Sequence, residues 1–169
     1  MKTKVFALVL GLITISTFAQ KNELKIADKA IRIQDYSAAM TAVTAAESLL
    51  SKMDDKSKAK FYFLKAQAYF VKKDYQTAAN TFEKLFSLED QIGKKRYTEL
   101  ARTIQSKMVQ EVYQQASDQY AAKDYKNASD SFYLTYVLSP LDSIFIYNAA
   151  VSSSLALDYD NSLKYYKEL

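Results

Sequence analysis

The sequence predicts an all-α solenoid of antiparallel helix pairs, about four of them, with the last incomplete. Three observations carry this expectation. The 169 residues contain two glycines and one proline, where average usage gives roughly 12 and 8. Architectures rich in tight turns and glycine-lined phosphate loops are thereby excluded, and helices remain. Next, Asp-Tyr recurs at Asp35-Tyr36, Asp74-Tyr75, Asp124-Tyr125 and Asp158-Tyr159, each time at the junction of two amphipathic segments of helical period. Finally, small residues keep fixed offsets from those tyrosines. Nine positions before them stand Ala27, Ala66, Ala116 and Ala150, and three positions after them Ala39, Ala78, Ala128 and Ser162. Antiparallel helices reach the short end of the 8–10 Å range of interaxial distances only where small side chains meet, so eight small residues in eight slots have a packing reason.

In chain order, Lys2 and Lys4 precede an apolar run from Val5 to Ile15, and Ser16-Thr17-Phe18-Ala19 follows. That layout predicts a secretory signal peptide over 1–19 cleaved after Ala19. The rival, an uncleaved anchor, needs ~20 apolar residues to span a bilayer, and the run has eleven. Removing 19 of the 169 residues leaves 150, with 21 basic against 19 acidic side chains. The expected location is the periplasm or cell envelope, with no membrane-spanning segment after cleavage. The remainder, 20–169, divides into approximate units 21–54, 59–92, 93–140 and 143–169.

Successive Asp-Tyr tyrosines are 39, 50 and 34 residues apart, so the first two intervals carry insertions. The shorter one predicts a longer loop around Met53-Asp54-Asp55-Lys56, either aspartate capping the next helix. The longer one predicts a single long helix from about Lys94 to Ala122, where no breaker occurs and Leu100, Ile104, Met108 and Val112 recur every four residues. That helix is either a packed strut or a dimerisation or docking arm. In the last unit Asp142 and Ser143 open a helix, and a second begins near Asp160 or Asn161. Its Tyr165, Tyr166 and Leu169 lack a following partner, and solenoids finish on polar caps. The chain is therefore expected to be the N-terminal part of a longer protein.

The pattern resembles the tetratricopeptide repeat family, whose 34-residue helix-turn-helix units carry small residues at positions 8 and 20 and an aromatic at 17. The second unit reads Tyr62, Ala66, Tyr69, Tyr75, Ala78, Phe82, Leu85 in that register, and the third ends at Pro140. Lys65, Gln119 and Val43 depart from the usual leucine, aromatic and aromatic. The resemblance implies a right-handed superhelix whose first helices line a concave groove for a peptide or partner protein. Its slots would hold Leu24 and Ile31, then Phe63, Gln67 and Phe70, then Tyr113, Ser117 and Tyr120, then Tyr147 and Val151. The family's Asn and Lys clamp for a terminal carboxylate is not present at these slots.

The chain has no Cys and no His, which removes disulfides, thiolate zinc sites and His-dependent triads. The paired acids Asp54-Asp55 and Glu89-Asp90 are expected in interhelix loops, as caps or solvated charges. The expected function is therefore non-catalytic: a protein-interaction scaffold with no catalytic residues, no metal and no cofactor. The alternatives are an N-terminal module that positions a downstream domain of an envelope protein, or a glycan-binding module using exposed, coplanar tyrosines. Lys94-Lys95-Arg96, the one basic triplet, reads as a solvated helix start, and without a wider basic stripe nucleic acid is not an expected partner. Asn127-Ala128-Ser129 matches a glycosylation acceptor but lies in a predicted helix. Oligomeric state is not legible from these patterns.

Overall fold

The structure, a computed structural model, describes residues 20–169. The expected signal segment, 1–19 with its cleavage after Ala19, lies outside the described residues. Those residues are all-helical and contain no strand. The helices are α1 (20–32), α2 (Tyr36–Glu47), α3 (Asp55–Val71), α4 (Tyr75–Gln91), α5 (Thr98–Ala121), α6 (Tyr125–Leu138), α7 (Ser143–Leu155) and α8 (Tyr159–Glu168). They fall into two compact units, the first ending at Ala101 and the second Arg102–Leu169, with the boundary inside α5.

One turn is used four times. Gln34, Lys73, Lys123 and Leu157 all adopt the left-handed conformation, with φ of 60–62°. The residue after each is the aspartate of an Asp-Tyr pair, and its amide donates to the carbonyl five residues back: Asp35 to Ala30, Asp74 to Tyr69, Asp124 to Gln119 and Asp158 to Ser153, at 2.9–3.0 Å. This closes one helix with a Schellman turn. The same aspartate then opens the next helix. The carboxylates of Asp35, Asp74 and Asp158 accept from the amides of Ala38, Thr77 and Asn161, while Asp124 holds the Asn127 side chain instead, at 2.7 Å. Two residues thus end one helix and start its antiparallel neighbour.

All eight small residues at the fixed offsets are buried. In the first unit α2 packs on α3 and α3 on α4, and Leu24, Ala27, Val43, Phe61 and Leu64 share one core cluster. In the second unit α6 packs on α7 and α7 on α8, around Ala116, Phe132, Ile146, Ala149 and Tyr165. Hydroxyls supplement this second core. Ser129 Oγ donates to the Ala149 carbonyl and lies 2.6 Å from Ser153 Oγ. Ser162 Oγ donates to the Ala150 carbonyl and lies 2.7 Å from Ser154 Oγ.

Several boundaries differ from expectation. The long helix starts at Thr98, not Lys94, because Gly93 (φ 63°) ends α4 and the Lys94 amide returns to the Glu89 carbonyl. The basic triplet therefore lies in an exposed connection, where Lys95 pairs with Asp90 at 3.1 Å, rather than at a helix start. Leu100 is 57% exposed; the buried stripe of α5 is Ala101, Met108, Val112 and Ala116. The insertion between α2 and α3 is a short 3-10 turn, Leu50–Lys52, over the buried Met53, and Asp55 and Lys56 already belong to α3. Glu89 and Asp90 sit in the last turns of α4, not in a loop. The last helix begins at Tyr159, ahead of Asp160, because Asp158 caps it as Asp35 and Asp74 cap α2 and α4.

Two departures from the repeat pattern find local explanations. Lys65 keeps its ammonium on Glu47 while lying over the Phe61 and Tyr69 rings, so its alkyl stem does the covering that leucine would. Val43 is simply buried. Gln119 is less well accommodated, since its Oε1 is buried without a hydrogen-bond partner among the described residues.

Candidate functional site

The sequence-derived groove residues are distributed over both compact units, and each unit has its own geometry. In the first, Leu24 belongs to the core cluster and Ile31 packs against it. Phe63, Gln67 and Phe70 are half-buried on α3. Phe63 stacks on Tyr97 with centroids 4.9 Å apart, and Phe70 tilts against Tyr75 at 6.1 Å. These rings have partners within their own unit.

In the second unit the residues converge. Ser117 and Tyr120 from α5 and Tyr147 and Val151 from α7 line a single open concavity of about 370 Å³, with Phe132 and Asn148 completing it. Tyr120, at the C-terminal end of α5, and Tyr147, one turn into α7, are 39% and 46% exposed. Each is braced edge-on, Tyr120 by Tyr125 and Phe132 and Tyr147 by Tyr166. Tyr113 does not line the concavity. It leans on Phe132 and Phe145 beside it, and its carbonyl accepts the Ser117 hydroxyl at 2.9 Å. The lining carries no formal charge, so it offers ring faces and edges, hydroxyls and one carboxamide.

Phe132 and Asn148 were not among the sequence-derived site residues. Phe132 lies on α6, four positions after the buried Ala128, and Asn148 lies between the groove slots of α7. A reading with one residue per slot passes over both, although Asn148 shares a helix face with Val151, three positions on.

One acid of each pair caps a helix, while Asp55 pairs with Lys58 and Asp90 with Lys95. Asp54 accepts from the Ser57 amide at 2.7 Å, and its hydrogen bonding to Ser57 holds its carboxyl below the usual carboxylate range. Glu89 is fully buried, and from α4 it accepts the amides of Tyr97 and Thr98 and the Thr98 hydroxyl at 2.8–3.1 Å. It is thus the cap of α5, supplied by another helix. Among the described residues no group of three or more Asp, Glu, Cys or His side chains is placed to hold a metal, and no helix is long and apolar enough to cross a membrane. No family model, curated protein or solved structure matches this chain.

Proposed function

We propose that this protein is an exported, non-catalytic interaction scaffold of the tetratricopeptide-repeat type, which holds a peptide or partner-protein segment in the concavity of its second unit. The observation that carries the reading is the convergence of Ser117, Tyr120, Tyr147 and Val151, chosen from repeat register alone, on one open concavity. Two supports stand beside it. The four Schellman turns with their Asp-Tyr caps and the eight buried small residues are what a helix-pair repeat requires. The exposed, braced tyrosines offer large contact area with little side-chain entropy left to lose on binding. The amphipathic character of tyrosine suits a segment that brings both apolar side chains and backbone amides.

Photo-crosslinking in intact cells tests this proposal. A crosslinking amino acid replaces Tyr120 or Tyr147, or Tyr159, which is 65% exposed and does not line the concavity. Discrete protein adducts in the envelope fraction from the first two positions and not the third are the expected result. Adducts absent at both, or the same from all three, overturn the assignment. Recovery of the chain from the cytoplasm with residues 1–19 still attached refutes export.

A further inference from the structure

The first unit contains a second, chemically different concavity. It has a volume of about 280 Å³ and is lined by Lys21 and Lys25 of α1 and Lys56 and Lys60 of α3, with Asp54, Ser57, Leu24 and Tyr97. Each helix contributes its lysines as an i, i+4 pair, one turn apart on one face. Like charges at that spacing repel and destabilise a helix, and here two such pairs share one cavity. Lys60 is compensated by Asp28 at 2.7 Å. Asp54 spends one carboxylate oxygen on the Ser57 amide, so the N-terminus of α3 is already satisfied from within the protein. Lys21, Lys25 and Lys56 form no close ion pair among the described residues, and the single Asp54 carboxylate, which feels the charges of Lys21 and Lys56, leaves the lining with an excess of positive charge.

We infer that this lysine-lined concavity between α1 and α3 is a binding site for a phosphate group carried on a small molecule or a lipid headgroup. The donor set favours a tetrahedral oxyanion over a carboxylate. Lysine ammoniums act as separate point charges that can surround phosphate oxygens from several directions, whereas bidentate carboxylate recognition calls for the planar arginine fork, and no arginine lines the cavity. Leu24 and the Tyr97 ring, steadied by its stack on Phe63, give the body carrying the phosphate an apolar wall. Bound phosphate removes the repulsion within both lysine pairs, so ligand and fold support each other. This site involves different residues and chemistry from the concavity of the second unit and does not depend on that reading.

The test is titration of the isotope-labelled protein with inorganic pyrophosphate, observing the amides of Lys56 and Ser57 and the ring of Tyr97 by NMR, alongside co-sedimentation with phosphatidylglycerol vesicles and with phosphatidylcholine vesicles. The comparison variant is Lys21→Gln/Lys56→Gln, which spares the Lys60–Asp28 pair and retains the side-chain length. Saturable shifts with pyrophosphate, weakened about tenfold or more in the variant, support a soluble phosphate ligand. Sedimentation with phosphatidylglycerol and not phosphatidylcholine, lost in the variant, supports a headgroup. No response to either probe, the same response in the variant, or shifts reproduced by sodium chloride at equal ionic strength overturn the inference. A thermal midpoint of the variant in phosphate-free buffer at or above that of the wild type shows that a lost response comes from the site and not from unfolding.

Discussion

At the residue scale, the adjacent serines Ser152 and Ser153 of α7 show how far burial alone is from stability. Both are buried, but Ser153 Oγ is bonded to Ser129 across the α6–α7 interface, while Ser152 Oγ has no hydrogen-bond partner among the described residues. A buried hydroxyl without a partner costs its desolvation, while a satisfied one contributes about 0.5–1.5 kcal/mol. Substitution to alanine brings the same gain in helix propensity at both positions, so the comparison isolates the hydrogen bond. Ser152→Ala is expected to be more stable than Ser153→Ala by about 1 kcal/mol or more, measured by urea denaturation. The reverse order would show that Ser152 has a partner. Tyr165 makes a pH prediction at the same scale. Burial, the largest cause, with Asp130 next, pushes its hydroxyl up to about 12 from 10.0. A raised folded-state value means that the contribution is fully present below pH 10 and is lost as pH climbs toward 12. Tyr165→Phe should therefore lose less stability than the wild type between pH 10 and 12, as read from thermal midpoints across that window.

At the element scale, the start of α5 depends on a side chain nine residues upstream. Glu89 satisfies the orphan donors of Tyr97 and Thr98 from the preceding helix, and these are among the four amides that a helix N-terminus leaves without partners. Glu89→Ala should cost about 2–3 kcal/mol through loss of the cap and exposure of unsatisfied donors. Glu89→Gln, which keeps one acceptor oxygen, should cost less. Hydrogen exchange at the Thr98 amide measures the local effect, and unchanged protection there in Glu89→Ala would show that the carboxylate is not the cap. The same element marks the limit of what the sequence discloses. The turns between paired helices were legible because the aspartate, the tyrosine and the small residue three beyond it lie within a few positions of one another, whereas the left-handed residue before them, Gln34, Lys73, Lys123 or Leu157, shares no residue type. The start of α5 was not, since its determinant is a tertiary contact and the basic triplet Lys94-Lys95-Arg96 has helix-compatible residues. Register likewise brought out Ser117, Tyr120, Tyr147 and Val151, but Leu24 and Ile31 occupy equivalent slots and go into the core. The lysine pairs 21/25 and 56/60 become one cluster only once α1 lies beside α3, a neighbourhood that no local pattern announces.

At the scale of the whole molecule, the one buried acid among the described residues, Glu89, serves as a helix cap, and exposed aromatic surface lies on helices that also form the core. If the concavity binds a partner as proposed, binding and folding use different residues of the same helix, and the two should separate on mutation. On α7, Ile146 is fully buried while Tyr147, the next residue, is 46% exposed. Ile146→Ala removes a buried aliphatic side chain and should lower stability by about 2–5 kcal/mol. For a domain of this size that is several degrees per kcal/mol or less, roughly 2–4 °C for each. Tyr120→Ala/Tyr147→Ala removes rings that are already partly in water, and should cost distinctly less stability than Ile146→Ala. It should nonetheless abolish the adducts formed by a crosslinker placed at Val151, which lines the same concavity. The proposal stands on this split. A double variant as unstable as Ile146→Ala would make the tyrosines part of the core, and a stable one that keeps its Val151 adducts would detach partner binding from their rings.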